Sequence, residues 1–249
     1  MGFITVACNT ADVDYLRLAA NLAESIKDTQ SVKNVSVITN VQQIEPKYNN
    51  LFDKIIIVDD QGYDAECRVW NSTPYKQTIK IEADMIVPAS IDHWWQICDE
   101  KDVVLTNRVY TYWHEVITNR SMRKLFDDND LPDVYSGVYY FRTSRDSKRF
   151  FLIVNQIFQN WNYFKNILKN CRYDHPVTDE VFAIAAKIYG IENCTINNTI
   201  PSFVHMKNRL QNIPSDDKWY NYVYYEPSQK SIGLYKQFLP IHYHDKQFI

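Results

Sequence analysis

Residues 78–87 read TIKIEADMIV, a run of alternating apolar side chains that leads into two carboxylates one residue apart. Side chains two residues apart along a strand point to the same side. Glu82 and Asp84 are therefore predicted to face one point at the end of a strand. Two hard oxygen ligands suit Mg²⁺ or Mn²⁺ that carries a phosphate group. The alternative interpretation is an exposed acidic turn, and the rest of the chain decides between the two.

The composition is that of an ordinary globular protein. The chain has 249 residues, of which 45% are apolar and 23% charged, and its length fits one large α/β domain. It shows no internal repeat and no low-complexity linker. The net charge of −3 excludes a global basic field that would attract nucleic acid. Two local basic clusters, each of which could also be a solvated helix face, are Arg120, Arg123 and Lys124, and Arg142, Arg145, Lys148 and Arg149.

The cysteine pattern and the hydropathy of the chain indicate the cellular compartment in which the protein works. Five scattered cysteines without a C-x-x-C pair predict reduced thiols in a cytosol, not disulfides or a zinc site. No signal peptide is recognised, and no apolar run reaches the length that a membrane span needs. We therefore expect a cytoplasmic protein without a membrane partner.

The first 60 residues follow a β-α-β-β order. Strands are predicted at Phe3–Cys8, Val35–Ile38 and Lys54–Val58, and apolar residues at helical spacing predict a helix over Val13–Ile26. Polar residues follow each strand. This order is typical of nucleotide-binding α/β folds, which place the ligand in the crevice at the carboxyl ends of the strands.

Further along the chain the predicted elements alternate less regularly. A strand is predicted over Val134–Phe141, broken at Ser136-Gly137, and the chain beyond Pro201 is irregular and aromatic. The other predicted elements are a strand at Asp102–Leu105 and helices at Ala65–Ser72, Asp92–Cys98, Arg149–Leu168 and Thr178–Tyr189, the last capped by Thr178 and stopped by Gly190.

The chain lacks the common nucleotide and hydrolase motifs, G-x-G-x-x-G, G-x-x-x-x-G-K-[ST] and G-x-S-x-G. With an acidic pair after the fourth strand, the arrangement resembles the GT-A class of nucleotide-sugar glycosyltransferases over most of its length. In that class a D-x-D motif holds a divalent ion on the donor diphosphate, and Glu82-Ala83-Asp84 takes its place here. The resemblance implies a single Rossmann-like α/β domain over residues 1–249, with a mixed central sheet and an irregular C-terminal extension. Residues 1–105 would form the nucleotide-binding half, and residues 106–249 the acceptor-binding half and a metal-binding tail.

The first loop resembles the part of these enzymes that holds the nucleobase. It reads VACNTADVDYLRLA from Val6. The resemblance implies that Tyr15 stacks on the base and that Thr10 and Asp12 bond its edge. For Tyr15, an aromatic side chain on a helix surface is the alternative.

Three further segments match by resemblance. Arg68, upstream of the acidic pair, resembles an arginine that faces the diphosphate. The segment DVYSGVYYF resembles the strand beside the donor sugar, where Ser136 and Gly137 permit close backbone approach. The segment HPVTDEVFA resembles the acidic segment that bonds the sugar hydroxyls, with Asp179 the first candidate and Glu180 the second.

The segment LPIHYHDK, residues 239–246, supplies the last part of the pattern. Many retaining members of the class use a late histidine as a third metal ligand and a nearby lysine on the phosphates. His242, His244 and Lys246 share one face of an extended segment, so either histidine is a candidate ligand. Two nearby histidines can also be a chance feature of a surface.

The runs TPYKQTIKIEAD and IHYHDK resemble those of phage-encoded glycosyltransferases. Some enzymes of that kind glycosylate hydroxylated pyrimidines in phage DNA. The resemblance implies a host-cytoplasmic enzyme, with duplex DNA as a candidate acceptor and the two basic clusters as its face.

The predicted function is metal-dependent transfer of a sugar from a nucleoside-diphosphate sugar, preferably a UDP-sugar, to an acceptor hydroxyl, with Mn²⁺ or Mg²⁺ as cofactor and with retention of configuration. The alternatives are a saccharide acceptor, a nucleotidyltransferase, and a non-catalytic nucleotide-sugar-binding protein. A nucleotidyltransferase usually brings a Gly-rich loop near its N-terminus, and the chain has only five glycines. Glu in the first position of the acidic motif is the one feature that favours the non-catalytic alternative.

Overall fold

The computed structural model describes residues 1–59, 62–197, 199–206, 223–225, 233–235, 237–243 and 246. The strands are β1 (Gly2–Val6), β2 (Val35–Thr39), β3 (Lys54–Ile57), β4 (Gln77–Ile81), β5 (Met85–Ile86), β6 (Val103–Thr106), β7 (Val109–Tyr110), β8 (Tyr135–Arg142), β9 (Phe203–Met206), β10 (Val223–Tyr225), β11 (Gly233–Tyr235) and β12 (Ile241–Tyr243). The α-helices are α1 (Tyr15–Thr29), α2 (Val69–Ser72), α3 (Trp94–Cys98), α4 (Lys124–Asp128), α5 (Arg145–Gln159), α6 (Trp161–Ile167), α7 (Thr178–Tyr189) and α8 (Ile191–Cys194). Short 3₁₀ helices span Pro46–Tyr48, Gly62–Arg68 and Ser121–Arg123.

A six-stranded mixed sheet forms the centre of the fold, in the order β3-β2-β1-β4-β8-β6. The strands β3, β2, β1 and β4 run parallel, whereas β8 is antiparallel to both β4 and β6. The carboxyl ends of β1 and β4 therefore lie at the same edge of the sheet. The loop after β1 and the acidic pair after β4 are brought together at that edge.

Both faces of the central sheet are buried, each in its own apolar core. Along β1, Phe3 faces the core that contains α1, and Ile4 faces the core that contains α5 and α7, as the two-residue period of a strand requires. Fully burying such a side chain contributes about 1.5–3 kcal/mol. The sheet is thereby fixed between two layers of helix, and the polar loops at its edge are held on a rigid support.

A second, four-stranded sheet has the order β5-β12-β9-β7. Strand β5 follows the acidic pair directly, and β12 pairs antiparallel with β5 and parallel with β9. This sheet carries a segment from the end of the chain to the point where β4 ends. In a separate pair, β10 and β11 are antiparallel.

The predicted α/β class, the mixed sheet and the β-α-β-β order are confirmed, but two predictions about the later helices are wrong. The helix predicted over Arg149–Leu168 is two helices, since α5 ends at Gln159 and α6 begins at Trp161. Thr178 is the first residue of α7 and not its cap, which is Val177. Strand β8 spans Tyr135–Arg142, and its pairing with β6 is interrupted where the break is predicted: Leu105 pairs with Tyr139 and Thr106 with Tyr135, so the ladder skips Ser136, Gly137 and Val138.

All five cysteines are described and none of them forms a disulfide, and three of them, Cys8, Cys98 and Cys194, are buried. Among the helices in the described part of the chain, none combines the length and the apolarity that a membrane crossing requires. The part of the chain beyond Pro201, predicted to be irregular, contributes the short strands β9 and β12 to the second sheet.

Candidate active site

The acidic pair lies in the connection between β4 and β5. The backbone N–H of Glu82 donates to the carbonyl of Gly137 at 3.0 Å, and that of Met85 donates to the carbonyl of Glu82 at 3.1 Å. These two bonds tie the connection to β8 and fold it into a turn. Asp84 is only 7% exposed. Asp84 is thus buried and Glu82 is half-buried, which does not fit an exposed acidic turn.

His242 reaches the acidic pair through the second sheet, because its position in β12 is paired with Met85 in β5. Its Nε2 lies 3.1 Å from Asp84 Oδ2 and 3.8 Å from Glu82 Oε2. One ligand atom from each of the three side chains lies within 4.8 Å of the other two. Two carboxylates and one imidazole at a single point fit a divalent cation such as Mn²⁺.

Lys246 adds a positive charge to this point. Its ammonium contacts Asp84 Oδ2 and donates to the carbonyl of Tyr243 at 3.1 Å. Its own carbonyl accepts from Arg17 Nη2 at 3.0 Å. Burial works to raise the pKa of Asp84, but His242 and Lys246 outweigh it and hold that pKa well below its usual range. Asp84 is therefore an ionised carboxylate, as a metal ligand must be.

A buried ion pair lies behind the acidic pair. Lys80 in β4 is fully buried, and its Nζ lies 3.0 Å from Glu66 Oε1 and donates to the carbonyl of Ser136 at 3.1 Å. Burial would lower the pKa of Lys80, but the carboxylates of Glu66, Glu82 and Asp84 outweigh it, so the net shift is upward. The pKa of Glu82 is raised by burial, against the opposing charges of Lys80 and His242.

A cavity of about 310 Å³ opens over these residues at the carboxyl edge of the central sheet. Its lining comes from the first loop, the acidic pair, the 3₁₀ helix Gly62–Arg68 and strand β12. The lining residues include Thr10, Tyr15, Glu66, Glu82, Asp84 and His242. We call it the central cavity. Its size is at the lower end of the range for small-molecule sites.

Several residues predicted for the site lie on this cavity and others do not. Thr10, Tyr15, Glu82, Asp84 and His242 line it. Asp12 and Arg68 are exposed and are not among its lining residues; Arg68 ends the 3₁₀ helix whose Glu66 does face the cavity. His244 lies outside the described residues. Glu66 and Thr178 also line the cavity, and Lys80 lies behind the acidic pair. The sequence does not predict any of these three as a site residue.

Four further predicted residues form a wall beside the central cavity: Ser136, Gly137, Asp179 and Glu180. Asp179 Oδ1 accepts from the backbone N–H of Ser136 at 2.7 Å and from its hydroxyl at 2.8 Å. Asp179 Oδ2 lies 3.4 Å from Arg123 Nη1. Gly137 is close to Glu82, since a Cβ on Gly137 would lie 3.0 Å from Glu82 Oε2. The wall is therefore joined to the acidic pair through β8.

Glu180 is buried next to Asp179. Burial, and then the charge of Asp179, raise the pKa of Glu180 from 4.5 to about 7, against the opposing charge of Arg123. Between pH 4.5 and 7 the folded chain thus holds a proton on Glu180 that the unfolded chain has lost. By linkage, this group makes the free energy of unfolding fall as the pH rises through that window.

Glu180→Gln is expected to remove this penalty. At pH 8 the variant should unfold with a free energy about 1–2 kcal/mol above that of the native chain, a shift reduced by the water that reaches the side chain. At pH 4 the two should be equal, because Glu180 is then neutral in both states. Urea denaturation at the two pH values measures this, with Glu24→Gln, an exposed site on α1, as control. An equal difference at both pH values would contradict the assignment.

Three of the seven residues in the two basic clusters are paired with carboxylates or buried. Arg120 contacts Asp127 and Asp133, and Arg142 contacts Asp99 and Asp102. Arg123 is buried. The members that the structure leaves exposed are Lys124, Arg145, Lys148 and Arg149, the last three of them on α5.

No protein-family model and no curated protein matches the chain. Among solved structures, the galactosyltransferase LgtC in complex with donor and acceptor sugar analogues is similar with a TM-score of 0.50 at 10% identity, over 79% of this chain and 73% of LgtC. The glycosyltransferase GlyE of Streptococcus pneumoniae TIGR4 has a TM-score of 0.49 at 8% identity, over 79% of this chain and 45% of GlyE. Mouse xyloside xylosyltransferase 1 has a TM-score of 0.48 at 9% identity, over 82% of this chain and 87% of that protein. The chain thus spans less than half the length of GlyE. At these identities the similarity concerns architecture, and the chain has the Rossmann-like fold of the GT-A glycosyltransferases.

Proposed function

We propose that the protein is a metal-dependent glycosyltransferase that moves a sugar from a UDP-sugar to an acceptor hydroxyl. The observation that carries the proposal is the convergence of Glu82, Asp84 and His242 within 4.8 Å, on a cavity that also contains Thr10 and Tyr15. The chain brings a cation-binding group and a polar-aromatic loop to one cavity, as a nucleotide diphosphate requires.

The donor nucleotide is assigned to the loop end of the central cavity. Tyr15 supplies a face on which a base can stack, and Thr10 supplies a hydroxyl for its edge, with Asp12 beside it in the loop. A divalent ion held by Glu82, Asp84 and His242 would act as a Lewis acid and template for the diphosphate. Lys246, already in contact with Asp84, is placed to add fixed positive charge where the leaving group gains negative charge.

The other proposed roles are those of the wall residues beside the central cavity and of the exposed Arg68. Asp179, held by Ser136, and the adjacent Glu180 are assigned to the hydroxyls of the sugars. Gly137 has no side chain and so leaves room for the sugar beside Glu82. Arg68, which does not line the cavity, is assigned to the diphosphate. Holding the acceptor hydroxyl over the anomeric carbon supplies much of the rate. The late histidine supports retention of anomeric configuration, which NMR of the product reads directly.

Two other functions are compatible with a metal-binding α/β site. A nucleotidyltransferase would consume a nucleoside triphosphate and a sugar phosphate and release pyrophosphate. A non-catalytic protein would bind a nucleotide sugar and leave it intact. Incubation with UDP-glucose, UDP-galactose and UDP-N-acetylglucosamine, with and without Mn²⁺, separates them when UDP, free sugar and pyrophosphate are measured. Metal-dependent release of UDP supports the proposal, whereas binding without any UDP release in the presence of varied acceptors refutes catalysis.

The base specificity gives a further expected result. The first loop offers one aromatic face and small polar groups, which suit a uracil. We expect UDP with Mn²⁺ to raise the melting temperature more than GDP or CMP does, by a few degrees at concentrations well above its Kd. Thermal shift measurements across the three nucleotides test this, and a larger shift with GDP would refute the assignment.

The acceptor is proposed in two forms. The resemblance to phage-encoded enzymes favours a hydroxymethylated pyrimidine in duplex DNA, which must leave the base stack to reach the sugar. A saccharide acceptor is the other form. Since Arg120 and Arg142 are paired with carboxylates and Arg123 is buried, the DNA form has to rely on the exposed basic residues of α5 and on Lys124.

A further inference from the structure

His242 is the middle residue of a row of three side chains that crosses the second sheet. Its register partners are Met85 in β5 on one side and His205 in β9 on the other. Register partners on adjacent strands project from the same face of a sheet. Met85 and His205 therefore flank the candidate metal ligand on the face from which it reaches Asp84.

The two imidazole rings of this row are stacked on each other. Their centroids are 4.8 Å apart, and their planes differ by 19°. The ring of Phe203, two residues before His205 on β9, meets the ring of His242 in an edge-to-face arrangement, with centroids 6.1 Å apart and planes at 64°. Strand β9 therefore packs two flat side chains against the ring of His242.

The orientation of the His242 ring needs such support, because the torsion that turns an imidazole about its bond to Cβ has broad energy wells. The contact of Nε2 with Asp84 Oδ2 at 3.1 Å directs the ring toward the acidic pair. A cation shared by these two side chains takes the place of that contact. The stack uses the faces of the ring, whereas the lone pair of Nε2 lies in the ring plane. Stacking therefore orients the ring both with and without the cation.

His205 is not itself one of the converging ligands. Among the described residues, the group that brings its ligand atoms within 4.8 Å of one another consists of Glu82, Asp84 and His242. His205 therefore acts on a bound cation only through the ring of His242. It is half-buried and lines a second cavity, of about 210 Å³, together with Arg123. Truncation of its side chain enlarges this existing space rather than opening a new void in the core, so variants at this position are expected to fold.

We propose that His205 is a positioning residue, which fixes the plane of the metal ligand His242 by stacking on it. The inference deepens the proposed function and rests on the metal site assigned there. With the ring held in advance, the cation does not have to order it on binding, so the affinity for the cation is higher. Removing a partner that orients a metal ligand typically weakens metal binding by roughly 10–100-fold. An aromatic contact is a weaker partner than a hydrogen bond to the ligand, and its loss is expected to weaken binding by about 3–10-fold.

Binding of Mn²⁺ in the absence of any nucleotide tests the proposal. The EPR signal of free Mn²⁺ is followed while the native chain and its variants are titrated. We expect His205→Ala to raise the Kd for Mn²⁺ by about 3–10-fold, and His205→Phe, which keeps a flat ring in the stack, to stay within about twofold of the native value. His93→Ala, which removes an exposed histidine just before α3, is the matched control and should bind as the native chain does. Asp84→Asn should abolish the binding and so locates the ion.

The dependence of UDP release on Mn²⁺ gives a second measurement, which a general weakening of the fold would not reproduce. In His205→Ala the Mn²⁺ concentration that gives half-maximal activity should rise by the same factor as the Kd. The rate at saturating Mn²⁺ should stay within about twofold of the native rate, because the filled site has the same ligands. Circular dichroism confirms that each variant is folded.

The possible outcomes are distinct. Equal affinity for Mn²⁺ in the native chain and in His205→Ala overturns the inference and leaves the metal site standing. A loss in His205→Phe as large as that in His205→Ala also overturns it, because the imidazole and not the stack is then required. If the native chain binds no Mn²⁺, the metal assignment and the inference are refuted together. If the affinities follow the expected order but UDP-sugars are never turned over, the transferase is refuted and the role of His205 stands.

Discussion

Asp84→Asn is expected to lower sugar transfer by roughly 10²–10³-fold, the loss typical of removing one preorganised charge-stabilising group. The substitution keeps the shape of the side chain and removes the charge that His242 and Lys246 both contact. Without that charge the site loses its most strongly ionised carboxylate. Isothermal titration should show that Mn²⁺ no longer strengthens UDP binding. Release of UDP from a UDP-sugar gives the activity.

The control for this variant is Asp146→Asn, an exposed aspartate in the first turn of α5. It changes the net charge by the same amount and should leave activity and Mn²⁺ dependence within twofold of the native values. His242→Gln should resemble Asp84→Asn in direction. Full native activity in excess EDTA would falsify the metal assignment, whatever the variants show.

The sequence located the acidic pair because its spacing depends only on neighbours along the chain. A two-residue period places Glu82 and Asp84 at the end of β4, and the same period relates His242 to Lys246. His244 lies outside the described residues, and the sequence could not say whether His242 meets the pair. That depends on β12 pairing with β5 in a register that sets His242 opposite Met85, across more than 150 residues. Only the tertiary structure supplies that register.

Charge counted along the sequence was a weaker guide than spacing. The sequence predicts that Arg120, Arg123 and Arg142 belong to basic surface clusters, since a run of basic residues is usually solvated. In the structure their partners, such as Asp133 and Asp102, come from distant elements or from the far side of a loop. Arg123 instead becomes part of a cavity wall. The role of these arginines depends on which carboxylates the fold brings next to them, and the neighbouring sequence does not predict those partners.

Lys80 is a further signal in the sequence, because its position in β4 requires a charged partner. Lys80 stands in the middle of β4, between Ile79 and Ile81, where a strand buried on both faces is normally apolar throughout. A lysine in that position is almost never fully buried without a charged partner. Its presence predicts a buried carboxylate nearby, which the structure identifies as Glu66. The partner's identity still required the fold.

Lys80→Met is expected to lower the free energy of unfolding by about 3–5 kcal/mol, the cost of removing one partner of a buried ion pair. Methionine keeps the length of the side chain and removes its charge. The Glu66 carboxylate is then left buried without compensation, and the carbonyl of Ser136 loses its donor. For a chain of this size the melting temperature should fall by about 6–20 °C. Urea denaturation followed by circular dichroism measures the change.

Two further variants show whether the ion pair is the cause. Lys148→Met, at an exposed position of α5, should change the free energy of unfolding by no more than about 0.5 kcal/mol. Adding Glu66→Gln to Lys80→Met removes the stranded carboxylate and should restore part of the loss, since residues in contact couple by about 0.5–3 kcal/mol. If the double variant is less stable than Lys80→Met by the full cost of Glu66→Gln alone, the two side chains act independently. The buried pair would then not be what holds β4, and with it the acidic pair, in position.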